Sequence, residues 1–354
     1  MQQQQIDGGR AREFAGKLLG LYTGGILSLM VDIGHRAGLF EAAARGPGTS
    51  QEIAQRAGLN ERYVREWLGA MATGGIFAYD AASRTYSLPA EHAICLSGDT
   101  GFNLAPMSQM LAHMGKHVHK IAHAFENGGG VPYSEFRPEF TDLMDAMGRR
   151  RYDELLIGGY LPAAKGLPER LRQGIRVADI GCGTGHCVNI MARHYANSTF
   201  VGYDIAEDAI AKGNAEAQEM GLSNARFDVL DVAKLPPEPQ FDLITAFDAI
   251  HDQVDPETVL RRASDALAPG GTFLMIDIKA SSNLEENLGN PVAPLLYGIS
   301  TLHCMTVSLA HNGAGLGTVW GEQLARRMLS QVGFRNVDVV DAPDPLNSIY
   351  VCRK

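Results

Sequence analysis

Acidic side chains and closely spaced glycines recur in the second half of the chain at positions suited to holding a small charged ligand. An apolar run, Val177-Ala178-Asp179-Ile180, leads into Gly181-Cys182-Gly183-Thr184-Gly185, and a helix-like segment follows over 188–195. A strand ending on such a loop and turning into a helix brings backbone N–H groups close to a ligand, and glycine removes the Cβ that would hold it off. The spacing is G-x-G-x-G, with His186 where the dinucleotide fingerprint G-x-G-x-x-G places its third glycine. Asp204 stands nineteen positions after Gly185, and an acid there can take both hydroxyls of a ribose. Asp231 is placed to accept from the exocyclic amine of a base. Phe247-Asp248 closes a further apolar run, with His251 and Asp252 just beyond. Nothing basic is nearby for a diphosphate, so these residues suggest a nucleoside-bearing ligand of little negative charge. Asp204 and Asp231 would equally serve as helix or turn caps after a strand.

The elements that must position these groups are legible from period and punctuation. From Ile175 onward strand and helix patterns alternate, the mark of a doubly wound α/β sheet. Strands are expected at 176–180, 199–204, 225–229, 241–247 and 272–278, and helices at 187–195, 207–220 and 256–267. A late helix over 321–332 precedes Val337-Asp338-Val339-Val340, and 348–352 closes the chain as a strand. In such a sheet ligands bind beyond the carboxyl ends of the strands at the switch point, where the four acidic features above fall. An insertion over 279–317 carries Tyr297, His303, Met305 and His311. With residues 107–136, which include Tyr133 and Phe136, it is placed to roof an acceptor pocket. Its apolar content suggests a lipophilic or aromatic acceptor, although the same residues would serve as core.

The first part of the chain reads as helical over 11–45, with Phe14, Leu18 and Leu21 on one face. Residues 26–37 are apolar almost all round, which calls for packing against another subunit or for an intrachain core helix. Over 49–93 the order is helix capped by Thr49 or Ser50, turn at Gly58-Leu59-Asn60, second helix over 61–72, stop at Gly74-Gly75, and a hairpin. That is the winged-helix pattern. DNA recognition is disfavoured, because Arg62 and Arg65 are cancelled by Glu61 and Glu66 and no lysine is near; a structural or dimerising role fits better. Residues 97–170 read as a helical connector broken at Gly128-Gly129-Gly130-Val131-Pro132. His113, His117, His119 and His123 form two i, i+4 pairs that would lie on different sides of one helix and so do not converge on a metal. Met107, Met110 and Met114 read as core.

With 354 residues, about two domains are expected. A net charge of −9 argues against wrapping nucleic acid or binding anionic membranes. Cys95, Cys182, Cys187, Cys304 and Cys352 are odd in number and lack a CxxC pair, so a reducing cytoplasm fits better than a disulfide framework or a zinc site. The start, Met1 and four glutamines, lacks the basic-then-apolar order of a signal peptide. The apolar run between Lys17 and Asp32 is shorter than the roughly 18–20 residues of a membrane span and contains Gly24-Gly25, and it reads as one or two buried helices.

Residues 177–185, Gly202-Tyr203-Asp204, Leu230-Asp231-Val232, 241–248 and Leu267-Ala268-Pro269-Gly270-Gly271, in that order, resemble the successive motifs of class I S-adenosylmethionine-dependent methyltransferases. The resemblance covers 170–354. The N-terminal part resembles the winged-helix dimerisation domain of many small-molecule O-methyltransferases. It implies a seven-stranded Rossmann-like methyltransferase sheet over 171–354, with 279–317 over the active site. Before it would come a helical winged-helix dimerisation domain over 1–96 and a connector and pocket roof over 97–170. S-adenosylmethionine would be the cofactor, leaving S-adenosylhomocysteine, with no metal. Gly181, Cys182 and Gly183, in the loop that Gly185 closes, would hold its methionine part. Asp179 would organise the loop, Asp204 would bind the ribose and Ile205 would pack on adenine. Asp231 and the Val232 N–H would read the adenine edge, and Phe247 would wall the sulfonium end. His251 would be the catalytic base, with Tyr133, Phe136, His251, Tyr297 and His303 around the acceptor. The implied protein is a cytoplasmic homodimer that methylates a small molecule, most readily at oxygen, without nucleic-acid or membrane partners. The rival readings are a transcription regulator using a degenerate methyltransferase fold as a ligand sensor, and an NAD-dependent oxidoreductase, against which His186 and Asp231 speak.

Overall fold

The computed structural model describes residues 6–98 and 102–354; the glutamine run and the signal-peptide reading at the start lie outside them. The chain divides into two compact units, Met1–His113 and Met114–Lys354.

In the first unit α1 (Gly8–Arg36) is followed by α2 (Leu39–Ala44), α3 (Ser50–Ala57), α4 (Glu61–Thr73), the hairpin β1 (Ala78–Asp80) and β2 (Thr85–Ser87), and α5 (Ala90–Leu96). Thr49, not Ser50, caps α3: its hydroxyl accepts from the Glu52 N–H, and the Glu52 carboxylate accepts from the Thr49 N–H at 2.7 Å. Gly58 closes α3 in the left-handed conformation. The winged-helix order is therefore formed, around a core in which Trp67 meets Phe40 and Phe77 edge-on at 5.3 and 5.4 Å. On α4, Arg62 pairs with Glu66 and Arg65 with Glu61, as the charge pattern anticipated.

Of the one or two buried helices expected between Lys17 and Asp32 one forms, α1, and the expected burial is corrected. It is one 29-residue helix running straight through Gly24-Gly25, because an internal glycine costs only about 1 kcal/mol and does not by itself break a helix with strong formers on either side. By length and composition alone it is apolar enough to cross a membrane. Nor is it buried. Only its last turns pack, with Leu27, Met30 and Val31 on the core and the Trp67 indole donating to the Met30 carbonyl at 2.8 Å. Leu19, Leu21, Tyr22 and Ile26 are more than half exposed.

Helix α6 (Ala105–Gly115) spans the division between the units, and α7 (Val118–Asn127) starts the second. The four histidines are thus not on one helix: His113 is on α6, His117 caps α7, and His119 and His123 lie within it. After the glycine break come α8 (Glu139–Leu155), a π turn at Leu156–Tyr160, α9 (Leu161–Ala163) and α10 (Leu167–Gln173). The α/β part then runs β3 (Arg176–Ile180), α11 (His186–His194), β4 (Thr199–Asp204), α12 (Glu207–Glu219), β5 (Ala225–Val229), β6 (Phe241–Phe247), α13 (Pro256–Ala266) and β7 (Leu267–Ile278). The insertion forms α14 (Leu284–Asn287), α15 (Ala293–Ile299), a π turn and α16 (Met305–Leu309), and α17 (Gly321–Gln331), β8 (Asn336–Asp341) and β9 (Asn347–Arg353) complete the unit.

The sheet order is β5-β4-β3-β6-β7-β9-β8, parallel except for β9 against β7 and β8. Successive residues feed opposite faces, as period two requires. Val177 and Leu243 join the core under α11 and α12, whereas Ala178, Ile180 and Ile244 join the one under α13 and α17. The chain leaves β3 for β4 and β5 on one side and returns to β6 on the other, so the switch point lies between β3 and β6. Every strand expected from the pattern is present. β7 starts earlier than expected, at Leu267, because Leu267 pairs with Phe241 before a register shift.

Candidate functional site

At the switch point Asp179 is aligned with Thr245 of β6 and is 2% exposed. The Thr245 hydroxyl donates to it at 2.6 Å. Burial pushes its carboxyl up to about 7, with Asp204 adding to the effect. The glycine loop folds back on the neighbouring strand. The N–H groups of Gly181 and Cys182 donate to the Tyr203 carbonyl at 2.8 and 3.0 Å, and the Gly183 N–H donates to Asp204 Oδ2 at 2.9 Å. Asp204 Oδ1 accepts from the Ala206 N–H at 2.9 Å. The N–H groups of Gly181, Cys182 and Gly183 are therefore taken within the protein, and the carboxylates of Asp179 and Asp204 stand beside the loop. Burial raises Asp204 as well, against the pull of these N–H groups and of Arg137.

The loop glycines do different work. A Cβ on Gly185 would lie 2.1 Å from the Phe227 ring, and one on Gly181 would lie 2.6 Å from the Ala249 Cβ. Gly183, with φ +54, has no heavy atom within 4 Å on that side. Gly181 and Gly185 thus satisfy the fold, and Gly183 opens space beside Asp204. Cys182 turns its thiol toward Gly202, where a Cβ would stand 2.8 Å from its sulfur.

Helix α8 fastens this loop, and the sequence reading missed it. The Thr184 hydroxyl donates to Asp145 at 2.5 Å, and Arg149 bridges Asp145 and Glu216 of α12. His186 is held between Glu216 at 2.8 Å and Asp153 at 3.1 Å. Further along, Arg151 donates to Asp248, which also accepts from Asn347. Tyr152 and Tyr160 pack on Phe247, the first edge-on at 5.5 Å.

Of the other expected cofactor residues, Ile205 is 56% exposed beside Asp204, and Val232 is buried in the core. Asp231 caps the short turn Val232–Lys234 through the Ala233 N–H and pairs with Lys234 at 3.1 Å. Its capping role is thus realised; the carboxylate keeps further lone pairs.

His251 is buried, with Nδ1 2.8 Å from Asp277 Oδ1. Burial opposes its charged form, but the Asp277 carboxylate and the neighbouring Cys304 outweigh this and hold its pKa well above the ordinary imidazole range. Asp252 next to it is pushed up to about 6 by burial, against the pull of His251 and with Asp277 and Asp204 adding to the rise. Asp277 escaped notice in the sequence. Its only signal was a lone acid inside the apolar run Phe273-Leu274-Met275-Ile276.

Tyr133, Phe136 and His303 do come together, with Phe140 and His117. The His303 ring stacks on Phe140 at 3.7 Å and meets Phe136 at 4.7 Å, while Phe136 lies 4.3 Å from His117. Burial pushes Tyr133 up to about 12; its hydroxyl pairs with Thr141, and it feels Asp204 and Asp252. Tyr297 stands apart, its hydroxyl bonded to Asn287 at 3.1 Å. The insertion closes on the His251 turn through Gly317 N–H to His251 O and Ser308 hydroxyl to Gln253 O, and on the glycine break through Val131 N–H to Thr306.

Comparison with known proteins places this architecture. Residues 25–98 match the model described as an Rv2258c-like winged HTH domain, and residues 171–304 match a methyltransferase domain. A trans-aconitate 2-methyltransferase of Variovorax paradoxus is 34% identical over 117 residues, 33% of this chain and 42% of that protein. The chain therefore matches only about two fifths of the length of such curated relatives. Among solved structures, mitomycin 7-O-methyltransferase superposes with a TM-score of 0.74 at 18% identity, covering 98% of this chain and 100% of that one. Human N-acetylserotonin methyltransferase, solved with S-adenosylmethionine, gives 0.70 at 18% identity, covering 99% of both chains. The chain joins a winged helix-turn-helix domain to a methyltransferase domain, in the fold of the S-adenosylmethionine-dependent small-molecule O-methyltransferases.

Proposed function

We propose that this chain is an S-adenosylmethionine-dependent methyltransferase acting on a small lipophilic or aromatic acceptor at oxygen. The observation that carries the reading is the loop in which the Gly181, Cys182 and Gly183 N–H groups are taken within the protein, beside the carboxylates of Asp179 and Asp204. A diphosphate needs free N–H donors and cations, which disfavours the NAD reading. A sulfonium nucleoside needs acceptors and a nearby anion, and Asp204, held by the Gly183 and Ala206 N–H groups, would supply both. The open side of Gly183 would admit the methionine part beside the loop. Asp204 would accept from the ribose hydroxyls with its remaining lone pairs. Ile205 would cover adenine, Asp231 and the Val232 N–H would read its edge, and Phe247 would wall the sulfonium end. When bound, the sulfonium supplies an already activated methyl group, so this chain contributes orientation and exclusion of water. Tyr133 and the residues 130–140 and 279–317 would roof the acceptor.

A homodimer through the N-terminal unit belongs to the same proposal. Helix α1 exposes Leu19, Leu21, Tyr22, Ile26 and Ile33, and Gly16, Gly20 and Gly24 leave open space along it for a close second helix. The five cysteines are all free thiols, which suits the cytoplasm.

Calorimetric titration with S-adenosylhomocysteine tests the reading. Removing two charge-assisted bonds in Asp204→Ala, at about 1.5 kcal/mol each, should weaken binding by roughly 100-fold. Wild-type protein that fails to bind, or a variant within threefold of it, would sink the proposal.

A further inference from the structure

Gly181, Gly183 and Gly185 take left-handed backbone, with φ +68, +54 and +74. Glycine has the widest choice of backbone states, so a stretch of this kind keeps one shape for a ligand only if it is held from outside. The first half of the loop is held by β4: the Gly181 and Cys182 N–H groups bond the Tyr203 carbonyl, and the Gly183 N–H bonds Asp204. The second half has less. The Cys182 thiol reaches only the Gly183 carbonyl, inside the loop, and Gly185 brings no side chain to cap α11. Among the described residues, the one hydrogen bond from a side chain of this loop to another element is that of the Thr184 hydroxyl to Asp145 of α8, at 2.5 Å.

Asp145 is itself fixed. Its second oxygen accepts from Arg149 Nε, one helical turn on, at 2.9 Å, and Arg149 donates onward to Glu216 of α12 at 2.5 Å. Glu216 also accepts from Asn189 of α11 at 2.9 Å. The loop, α8, α12 and α11 thus close into one ring of hydrogen bonds with Thr184 in it. The members are half-buried or buried, and most of the bonds carry a charge on one side, the stronger kind. The Asp145 carboxylate also stands beside the N-terminal end of α11, where the helix dipole favours an anion. Helix α8 precedes residue 171, where the match to a methyltransferase domain begins.

We propose that Asp145 and Arg149 are positioning residues for the cofactor. Through the Thr184 hydroxyl they hold the backbone of 183–185 in the shape that leaves the open side of Gly183 to the ligand. They act on the loop and not on the ligand, so a determinant of cofactor affinity sits on a connector helix outside the domain that makes the cofactor's own contacts. This rests on the methyl-transfer reading.

Two measurements on the full-length protein separate the proposal from that reading. Without ligand, amide hydrogen exchange over 181–185, followed by mass spectrometry, should run roughly tenfold faster in Thr184→Val and in Asp145→Ala, as the loss of a charge-assisted hydrogen bond implies. Exchange in β7 should not change, and Thr184→Ser, which keeps the hydroxyl, should behave as wild type. Titration calorimetry with S-adenosylhomocysteine should show binding roughly tenfold weaker in the same two variants and restored in Thr184→Ser. The double variant should bind no more weakly than the weaker single one, because the two residues act as a unit. Asp145→Ala places a strong helix former on a half-exposed helix position, so its fold is kept. Loop exchange or affinity within threefold of wild type in Asp145→Ala overturns the proposal, as does a double variant whose losses multiply. Wild type that binds no S-adenosylhomocysteine refutes the methyl-transfer reading instead, and the exchange rates still decide whether Asp145 holds the loop.

Discussion

Replacing Gly183 and Gly185 in turn by alanine separates space the fold needs from space a ligand needs. Both residues have positive φ, +54 and +74, so alanine at either pays about 1–2 kcal/mol of left-handed strain. At Gly185 the new methyl would also stand 2.1 Å from Phe227 Cε1 and 2.7 Å from Cζ. That ring is buried under α12 and cannot swing away without opening the core, which adds about 1–3 kcal/mol of overpacking. Gly185→Ala should therefore lose about 3 kcal/mol, a fall in Tm of roughly 6–12 °C for a unit of this size. At Gly183 nothing lies within 4 Å, so only the strain of about 1–2 kcal/mol remains, and Tm should fall by roughly 2–8 °C, less than in Gly185→Ala. Its methyl projects into the space beside Asp204, and S-adenosylhomocysteine should bind at least tenfold more weakly, about 1.4 kcal/mol. Scanning calorimetry and isothermal titration on both variants read the two effects. Equal destabilisation by the two, or wild-type affinity in Gly183→Ala, would refute the division of labour in the loop.

The remaining predictions concern charge and assembly. Asp179 has a folded-state carboxyl raised by burial to about 7. The stability linked to it is therefore present at acid pH and is lost as pH rises toward 7. Urea midpoints at about pH 5 and about pH 8 should differ less in Asp179→Asn than in wild type; an unchanged difference counts against the buried-acid account. Arg151→Leu leaves the half-buried Asp248 with Asn347 as its remaining side-chain hydrogen-bond partner among the described residues, and roughly 1–3 kcal/mol of stability should go, read as a lower urea midpoint at unchanged slope. The pair Tyr22→Glu and Ile26→Glu on the exposed face of α1 should convert a sedimenting dimer to monomer with the fold kept by circular dichroism; a wild type that already sediments as a monomer removes the proposed interface.

The chain's own pattern determined the succession of strands and helices in the second unit, the winged order in the first, and the acids after β4 and β5, because period, caps and glycine punctuation act over a few residues. Asp204 was recognised from its distance after Gly185. That its two oxygens would be bonded to the Gly183 and Ala206 N–H groups was not. Glycines that look alike in the string differ in what stands against them, and only packing told Gly183 from Gly185. The same holds for Thr245 on Asp179, Asp277 on His251, Arg151 on Asp248, and the Asp145–Arg149 clasp over the loop. Each joins residues tens of positions apart that the parallel sheet and α8 bring together. Helix α1 shows the converse limit: its apolar sequence demanded burial, and the chain alone leaves most of that face exposed. Hydrophobic pattern states what a segment must cover, whereas tertiary structure decides which surface is there to cover it.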